Sequence, residues 1–202
     1  MKILASLSVA VAALLLAALA ESEVNLSHNE GSIATAQNSV AREPLKLPLA
    51  DPRIIISKSR RRLELYSDGR VVRAYRIALG KNSLDDKERQ GDYRTPEGEF
   101  YVCVRNAASK FYLSLGLSYP NKEDAERGLR DNLITRATHD RIAEAIDRQL
   151  RPPWNTALGG EIFIHGGGSS SDWTWGCIAL ENDDIKELFD AVPLKTPVRI
   201  NP

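Results

Sequence analysis

The chain is poor in the residues that build disulfide scaffolds and metal sites. Its 202 residues include only 2 cysteines and 3 histidines. Two cysteines cannot form a disulfide framework, and a chain of this length buries a sizeable core without one. The histidines lack zinc-type spacing. We therefore expect one domain that carries no metal and no other cofactor.

An excess of charge of one sign is also lacking. The 27 lysines and arginines balance the 27 aspartates and glutamates, which gives a formal net charge of +0. Proteins that bind the phosphate backbone normally show a basic excess or a basic stripe. The sequence therefore predicts no nucleic-acid partner.

The long hydrophobic run of the sequence lies at its N-terminus. Lys2 precedes an uncharged stretch from Ile3 to Ala20 that ends in Ala18-Leu19-Ala20. A positive start, an apolar centre and small residues at the end are typical of a secretory signal peptide, here residues 1–20. An uncleaved membrane anchor is the alternative, because a run of this length is at the lower limit for spanning a bilayer. We expect export to the periplasm or cell envelope, with membrane contact only through this segment.

Residues 21–52 are polar and aperiodic and end in three prolines, which predicts a flexible leader. From residue 53 onward, short β-prone runs alternate with polar turns. Four such runs in the first half are typical of strands, namely Arg53–Ser57, Arg62–Tyr66, Val71–Leu79 and Glu99–Asn106. Ser67-Asp68-Gly69-Arg70 has the composition of a hairpin turn. The domain, residues 53–202, is thus predicted to begin as a β-meander.

The second half of the domain adds helices. Residues 121–150 have helical spacing before two prolines, which predicts an inserted helical pair. Asn182 is expected to start and cap a C-terminal helix that runs to about Val192. Three further strands are predicted over Glu161–His165, Cys177–Leu180 and Thr196–Ile200. Together these elements predict an α+β fold that is mostly β.

The most informative stretch for chemistry contains one histidine at a strand end and one cysteine at the next strand start. His165 and Cys177 are separated by a loop rich in glycine and serine. Cysteine acyl transfer needs a thiolate, a base beside it and N–H groups for the oxyanion. Gly176 lets the backbone approach a substrate carbonyl without a Cβ. The pair alone leaves a structural reading open, because free cysteines and strand-end histidines are commonly buried structural residues.

Three motifs in this order resemble a known family. They are His165-Gly166 followed by Thr174-Trp175-Gly176-Cys177-Ile178, the upstream segment Gly91-Asp92-Tyr93-Arg94-Thr95-Pro96-Glu97-Gly98, and Ser118-Tyr119-Pro120-Asn121. The first two resemble the L,D-transpeptidase (YkuD-type) catalytic domain, and the third is similar to its YafK-like branch. The resemblance runs from about Arg53 to the C-terminus and implies a YkuD-like β-sandwich.

The resemblance also implies the roles of individual residues. Cys177 would be the nucleophile that attacks the L-to-D peptide bond of a peptidoglycan tetrapeptide stem, and His165 its proton acceptor and donor. The amides of Gly176, Cys177 and Trp175 would hold the oxyanion, and Thr174 would orient the histidine. The acyl group would pass to a diaminopimelate amine of a neighbouring stem or to a lysine of a wall-attached lipoprotein.

The sequence departs from the commonest family members at two positions. Ala179 stands two residues after the cysteine, where many members have Arg, and Trp175 stands where many have His or Arg. Both fit the YafK-like branch, which includes enzymes that cut peptidoglycan attachments. A hydrolase, either an L,D-carboxypeptidase or a peptidoglycan amidase, is therefore the alternative. A third hypothesis is a wall-binding module, which an unreactive thiol would favour.

The remaining candidates allow two interpretations each. Tyr119, Trp173 and Trp175 would line a substrate groove or belong to the core, since aromatic residues do both. Cys103 is expected to be a small buried hydrophobe within a strand. A disulfide between Cys103 and Cys177 would block the nucleophile, so both thiols are expected to be free.

Overall fold

A computed structural model describes residues 42–202 of the chain. The predicted signal peptide and the leader as far as residue 41 lie outside the described residues. Residues 45–202 form one compact unit. Within the predicted leader, Leu45 and Leu49 pack against the core of this unit. The last part of the leader sequence therefore belongs to the folded unit.

Eight strands occur in the described residues, and all except β5 correspond to predicted runs with ends shifted by a few positions. They are β1 (Arg53–Ser57), β2 (Arg62–Ser67), β3 (Arg70–Arg76), β4 (Gly98–Ser109), β5 (Tyr112–Leu117), β6 (Phe163–His165), β7 (Ile178–Ala179) and β8 (Pro197–Asn201). Alternating apolar residues explain β1 and β2. Ile54 and Ile56 of β1 and Leu63 and Leu65 of β2 are all buried in the core. The α+β, mostly-β class is confirmed.

The strands form one eight-stranded sheet in the order β3-β2-β1-β8-β4-β5-β6-β7. The long strand β4 joins its two halves, because its first residues pair with β8 and its later residues with β5. Just after β3, the amide of Ala78 donates to Ala179 O at 2.9 Å and the amide of Ala179 donates to Ala78 O at 2.8 Å. The sheet therefore curls until the chain beyond β3 meets β7, and one hydrophobic core receives residues from both halves.

The predicted helical pair is confirmed as α1 (Lys122–Arg130) and α2 (Arg136–Asp147). The Asn121 side chain accepts from the Asp124 amide, and the Asp124 side chain accepts from the Asn121 amide. These two hydrogen bonds form a capping box at the start of α1. A second, smaller core lies beneath the pair and contains Ala125, Ile134, Ile142 and Leu158. No helix within residues 42–202 is both long and apolar enough to cross a membrane.

The C-terminal helix α3 (Asn182–Ala191) forms as predicted, but its predicted cap is wrong. Glu181 occupies the cap position and makes no side-chain cap hydrogen bond. Asn182 Oδ1 instead accepts from the Gly167 amide at 3.0 Å, and Glu181 Oε1 accepts from the Ser169 amide and hydroxyl, both at 2.8 Å. These two side chains therefore hold the glycine- and serine-rich loop rather than the start of the helix.

Candidate active site

A cavity of about 780 Å³ opens where β6 ends and β7 begins. Its walls come from four parts of the chain: the tip of the β4–β5 hairpin, residues 87–93, residues 160–165 and residues 173–177. His165 and Cys177, the predicted base and nucleophile, both line it. The structure therefore brings the two predicted catalytic residues into one cavity.

Strand pairing explains why these two side chains meet. β6 and β7 run parallel, with Ile164 opposite Ile178 and His165 opposite Ala179. Side chains two residues apart on a strand point to the same face. Cys177 therefore shares the face of Ala179, which is also the face of His165.

The imidazole of His165 is buried, with 3% of the residue exposed, and has one polar contact within the fold. Its Nδ1 lies 2.6 Å from the carbonyl oxygen of Gly166. A carbonyl only accepts, so Nδ1 carries the proton and Nε2 keeps a lone pair with which to accept one. Burial lowers the pKa of His165 below its ordinary value of 6.5, although the Gly166 carbonyl partly opposes this. The ring is thus a neutral base at pH 7.

Cys177 is a half-buried free thiol held by two backbone groups. Its Sγ accepts from the Phe163 amide at 3.4 Å and lies 3.5 Å from the Glu161 carbonyl oxygen, to which the thiol donates. Burial raises the pKa of Cys177 to about 11, while the Phe163 amide and the charge of Lys87 lower it. The site therefore holds a neutral thiol and a neutral imidazole in one cavity, and the thiol needs a base to become a nucleophile.

The threonine and glycine before the nucleophile are placed differently from what the resemblance implies. The Gly176 amide donates to Thr174 Oγ1 at 3.1 Å, and the Thr174 hydroxyl donates to the Cys177 carbonyl at 2.7 Å. The Gly176 amide is thus engaged and does not point to an oxyanion in this structure. Thr174 fixes the turn that carries Cys177, whereas His165 is oriented by Gly166. The Thr174 hydroxyl thus satisfies the turn itself, and the roles that the resemblance implies for Thr174 and Gly176 stay predictions.

The aromatic candidates separate into one core residue and two cavity residues. Tyr119 is fully buried and its hydroxyl donates to the Leu158 carbonyl at 2.9 Å. It is absent from the cavity wall, so of the two places that the sequence left open, the groove and the core, Tyr119 lies in the core. Trp173 and Trp175 both line the cavity. Trp173 donates from Nε1 to the Gly168 carbonyl at 3.1 Å, and Trp175 is 75% exposed.

Two further residues of the wall were not singled out from the sequence. Lys87 is almost fully buried and its Nζ lies 2.6 Å from Asp92 Oδ1 and 2.9 Å from the Arg89 carbonyl. Phe111 lies at the tip of the β4–β5 hairpin and stacks on His165. A large apolar residue between two strands is a signal for Phe111. Lys87 has no comparable signal, because it lies in a stretch rich in charged residues.

The described residues contain no cluster of three or more histidines, cysteines or acids able to hold a metal ion. Cys103 and Cys177 are both free. What the cavity offers is a thiol, a neutral base, a buried lysine and aromatic walls. That set is suited to cysteine acyl transfer.

Comparison with known proteins gives three kinds of match. The family model "L,D-transpeptidase catalytic domain" (YkuD) matches residues 51–200. YafK of Escherichia coli K12, named "Putative L,D-transpeptidase", is 28% identical over 146 residues, which are 69% of this chain and 46% of YafK. YqjB of Bacillus subtilis 168, named in the same way, is 29% identical over 155 residues, 74% of this chain and 71% of YqjB.

Among solved structures, the helical cell shape determining protein Pgp2 of Campylobacter jejuni shares the fold. Its TM-score is 0.52 at 22% identity, with coverage of 74% of this chain and 47% of Pgp2. The chain thus spans about half the length of YafK and of Pgp2. The family match covers most of the folded unit and both residues of the Cys–His pair. By this match the chain belongs to the YkuD family of L,D-transpeptidase catalytic domains.

Proposed function

We propose that this protein is an exported cysteine L,D-transpeptidase that acts on the tetrapeptide stems of peptidoglycan. The observation that carries the proposal is the shared cavity of Cys177 and His165, in which Nδ1 is engaged and Nε2 is left to accept a proton. The matched family supplies the reaction class. The apolar run of residues 1–20 supports export, and its deletion should keep the protein in the cytoplasm in a fractionation experiment.

In the proposed first half-reaction, the Cys177 thiol gives its proton to His165 Nε2 as Sγ attacks the carbonyl carbon of the L-to-D peptide bond. Backbone amides hold the resulting oxyanion. The Cys177 amide is the donor assigned by position, because the Gly176 amide is already bonded to Thr174. The bond to the terminal D-amino acid then breaks, and its amine leaves with the proton from His165. The product is a thioester on Cys177.

In the second half-reaction an amine attacks the thioester and His165 takes its proton, which returns to Sγ as the thiol leaves. The amine would come from a diaminopimelate of a neighbouring stem or from a lipoprotein lysine. With water as the acceptor, the same steps release a free carboxylate. Ala179 favours this second candidate function, hydrolysis, because it presents no charge where many family members have Arg and lies buried opposite His165.

The decisive experiment is mass spectrometry of tetrapeptide muropeptides incubated with the purified protein, with and without an added D-amino acid. The wild type is compared with Cys177→Ala, and Cys103→Ser serves as the matched control because its thiol lies outside the cavity wall. An exchange product that needs Cys177 supports transpeptidation. Cleavage without exchange replaces it with hydrolysis. Full activity in Cys177→Ala, or no reaction in any sample, contradicts the proposal.

A further inference from the structure

An aromatic side chain at the tip of the β4–β5 hairpin covers one face of the candidate base. Phe111 is 44% exposed although it is large and apolar. Its ring lies over the His165 imidazole, with 4.5 Å between ring centroids and 25° between planes. Nothing in the hairpin itself requires an aromatic residue at this place, since the strands on either side pair through their backbones. We therefore relate the position of the Phe111 ring to its contact with His165.

The backbone holds the hairpin tip against the same histidine. The Gly166 amide, directly after His165, donates to the Phe111 carbonyl at 3.1 Å. A Cβ at Gly166 would lie 2.8 Å from that carbonyl oxygen, so the close approach depends on glycine. The Phe111 amide in turn donates to Ser109 Oγ at 3.1 Å. The tip is thus anchored both to its own strand and to the residue after the base.

Trp173 completes the enclosure from a second side. Its ring centroid lies 5.6 Å from that of His165 at an interplanar angle of 70°, and 5.5 Å from that of Phe111. The Trp173 indole is itself fixed by its hydrogen bond to the Gly168 carbonyl. The imidazole therefore has one stacked and one edge-on aromatic neighbour, which leaves it little freedom to rotate about its χ2.

We propose that Phe111 is a positioning residue for His165. The phenyl ring closes the solvent-facing side of the imidazole. It also keeps the imidazole in the orientation in which Nε2 exchanges a proton inside the cavity. Phe111 touches neither the thiol nor the reacting bond in this role, so it acts through the histidine. The effect of Phe111 on catalysis rests on the proposed function, whereas its packing against His165 does not.

The electrostatics of the site agree with this role. The pKa of His165 is lowered mainly by burial, and Phe111 supplies part of that burial. The titratable groups on the surrounding elements of the cavity wall are Lys110 on the hairpin, Lys87, Tyr93, Glu161 and Cys177. Substitution of Phe111 by alanine leaves these five groups in place and admits water to the imidazole. The pKa of His165 should therefore rise toward its ordinary value of 6.5.

The test is an NMR titration of the imidazole signals in the substrate-free protein, with His165 assigned from the signals lost in His165→Gln. In Phe111→Ala we expect the His165 pKa to rise by about half a unit or more. Phe111→Trp, which keeps a stacked ring, should stay near the wild type. Tyr112→Ala is the matched control, because Tyr112 lies next to Phe111, is 48% exposed and makes no ring contact with His165.

A second readout uses the Cys177-dependent exchange reaction. The acidic limb of its pH profile should move to higher pH in Phe111→Ala by the same amount as the His165 pKa, because a charged imidazole cannot accept the thiol proton. If Phe111→Ala fails to fold, Phe111→Leu tests the same loss of stacking with most of the bulk retained. An unchanged His165 pKa in the folded variant, or an equal shift in Tyr112→Ala, overturns the proposal. The titration needs no peptidoglycan, so it remains decisive even if the proposed function fails.

Discussion

At the level of single residues, the cavity disfavours the charged forms of both its thiol and its imidazole. Burial raises the pKa of Cys177 and lowers that of His165, so neither group favours its ionic form at neutral pH. A preformed thiolate–imidazolium pair would require the opposite shifts. The proposed mechanism therefore begins with proton transfer in the same step as nucleophilic attack.

The first prediction concerns the reactivity of this thiol in the free protein. With a pKa of about 11, roughly one Cys177 in ten thousand is a thiolate at pH 7. Alkylation by iodoacetamide, measured in a Cys103→Ser background, should be slow at pH 7 and rise about tenfold per pH unit as far as pH 9. A rate that levels off below pH 8 would show a thiolate that the structure does not contain.

Lys87 provides a charge variant for the same measurement. Its charge lowers the pKa of Cys177, so Lys87→Met should slow alkylation further, while Lys87→Arg should retain the wild-type rate more closely. Equal alkylation rates in all three proteins would show that the charge of Lys87 does not influence the Cys177 thiol. Slow labelling of the wild type by itself does not favour a binding module, since burial alone accounts for it.

The second prediction concerns Trp175, the most exposed aromatic residue of the cavity wall. It is 75% exposed, and its ring contact is an edge-on approach to Tyr93 at 6.2 Å between centroids. Trp175→Ala should leave the free energy of unfolding within about 0.5 kcal/mol of the wild type. In the muropeptide assay it should raise KM several-fold more than it lowers kcat, because under the proposed function the lost surface faces the substrate.

Leu84→Ala is the control for Trp175, because Leu84 is 85% exposed and lies outside the cavity wall. It should change neither KM nor kcat. A Trp175→Ala protein with unchanged KM would remove this residue from substrate binding. A large loss of stability would instead assign Trp175 to the fold.

At this scale, the sequence indicated candidate residues by their chemical type, but it did not indicate which hydrogen-bond partners those residues have in the fold. Cys177 and His165 were singled out by their places at a strand start and a strand end across a glycine-rich loop, and the resemblance to the family implied their roles. The sequence left Tyr119 open between the groove and the core, and its hydrogen bond to Leu158 lies in the core. The Gly176 amide, an expected oxyanion donor, is bonded to Thr174. Such partners depend on three-dimensional proximity, which spacing along the chain does not give.

At the level of elements, the turn that carries Cys177 depends on glycine at position 176. Gly176 has a φ of 127°, and a Cβ there would lie 2.6 Å from the Arg94 carbonyl oxygen. The turn therefore packs directly on the segment of the second motif. The same contact brings the two motifs together in space although the chain separates them widely.

The third prediction follows from this close approach. Gly176→Ala should destabilise the fold by about 1–3 kcal/mol and abolish activity, because both the backbone strain and the contact with Arg94 must be relieved. Gly69→Ala is the matched control. Gly69 has a φ of 72° in the β2–β3 turn, with nothing within 4 Å of the added Cβ. Gly69→Ala introduces backbone strain without a steric contact. Chemical unfolding should therefore show a smaller loss of unfolding free energy for Gly69→Ala than for Gly176→Ala, and Gly69→Ala should stay active. Equal losses would mean that the Arg94 contact costs nothing.

Element types were predictable where the pattern is local. The alternation in β1 and β2, the turn between β2 and β3 and the spacing of α1 and α2 each arise within a few residues. The cap of α3 was predicted wrongly because Asn182 and Glu181 bond to the loop at Gly167 and Ser169 instead. A polar side chain at a helix start has more than one possible partner, and tertiary contacts decide between them.

At the level of the whole molecule, the glycine- and serine-rich loop between His165 and Cys177 is attached to the first half of the sheet. Asp172 accepts from Arg61 at 2.7 Å (Nη2) and from the Leu79 amide at 2.9 Å. The backbone amide of Thr174 donates to the Leu79 carbonyl at 3.1 Å. These contacts lie beside the point where Ala78 meets β7 and the sheet curls upon itself. The closure joins residues far apart in sequence, so periodicity could predict its strands but not their meeting.

The fourth prediction tests how much this attachment stabilises the fold and at which pH. Asp172→Asn should lower the free energy of unfolding at pH 7 by roughly 1–3 kcal/mol, because it removes a charge-assisted pair from partly buried surroundings. Asp51→Asn, which breaks an exposed pair with Arg53, should cost less than about 0.5 kcal/mol. Urea unfolding of the three proteins at pH 7 gives both values.

The pH dependence of that difference follows from the pKa of Asp172. Hydrogen bonds from Arg61 and the Leu79 amide outweigh burial and lower this pKa below its ordinary value of 3.8. A carboxyl with a lowered folded-state pKa stabilises the fold fully above 3.8 and loses that contribution as the pH falls toward the folded-state pKa. The gap between wild type and Asp172→Asn should therefore be constant from pH 7 to about pH 5 and narrow below pH 4. A gap that stays constant down to pH 2.5 would mean that the Asn side chain disturbs the loop by its shape, and that the charge of Asp172 does not hold the closure.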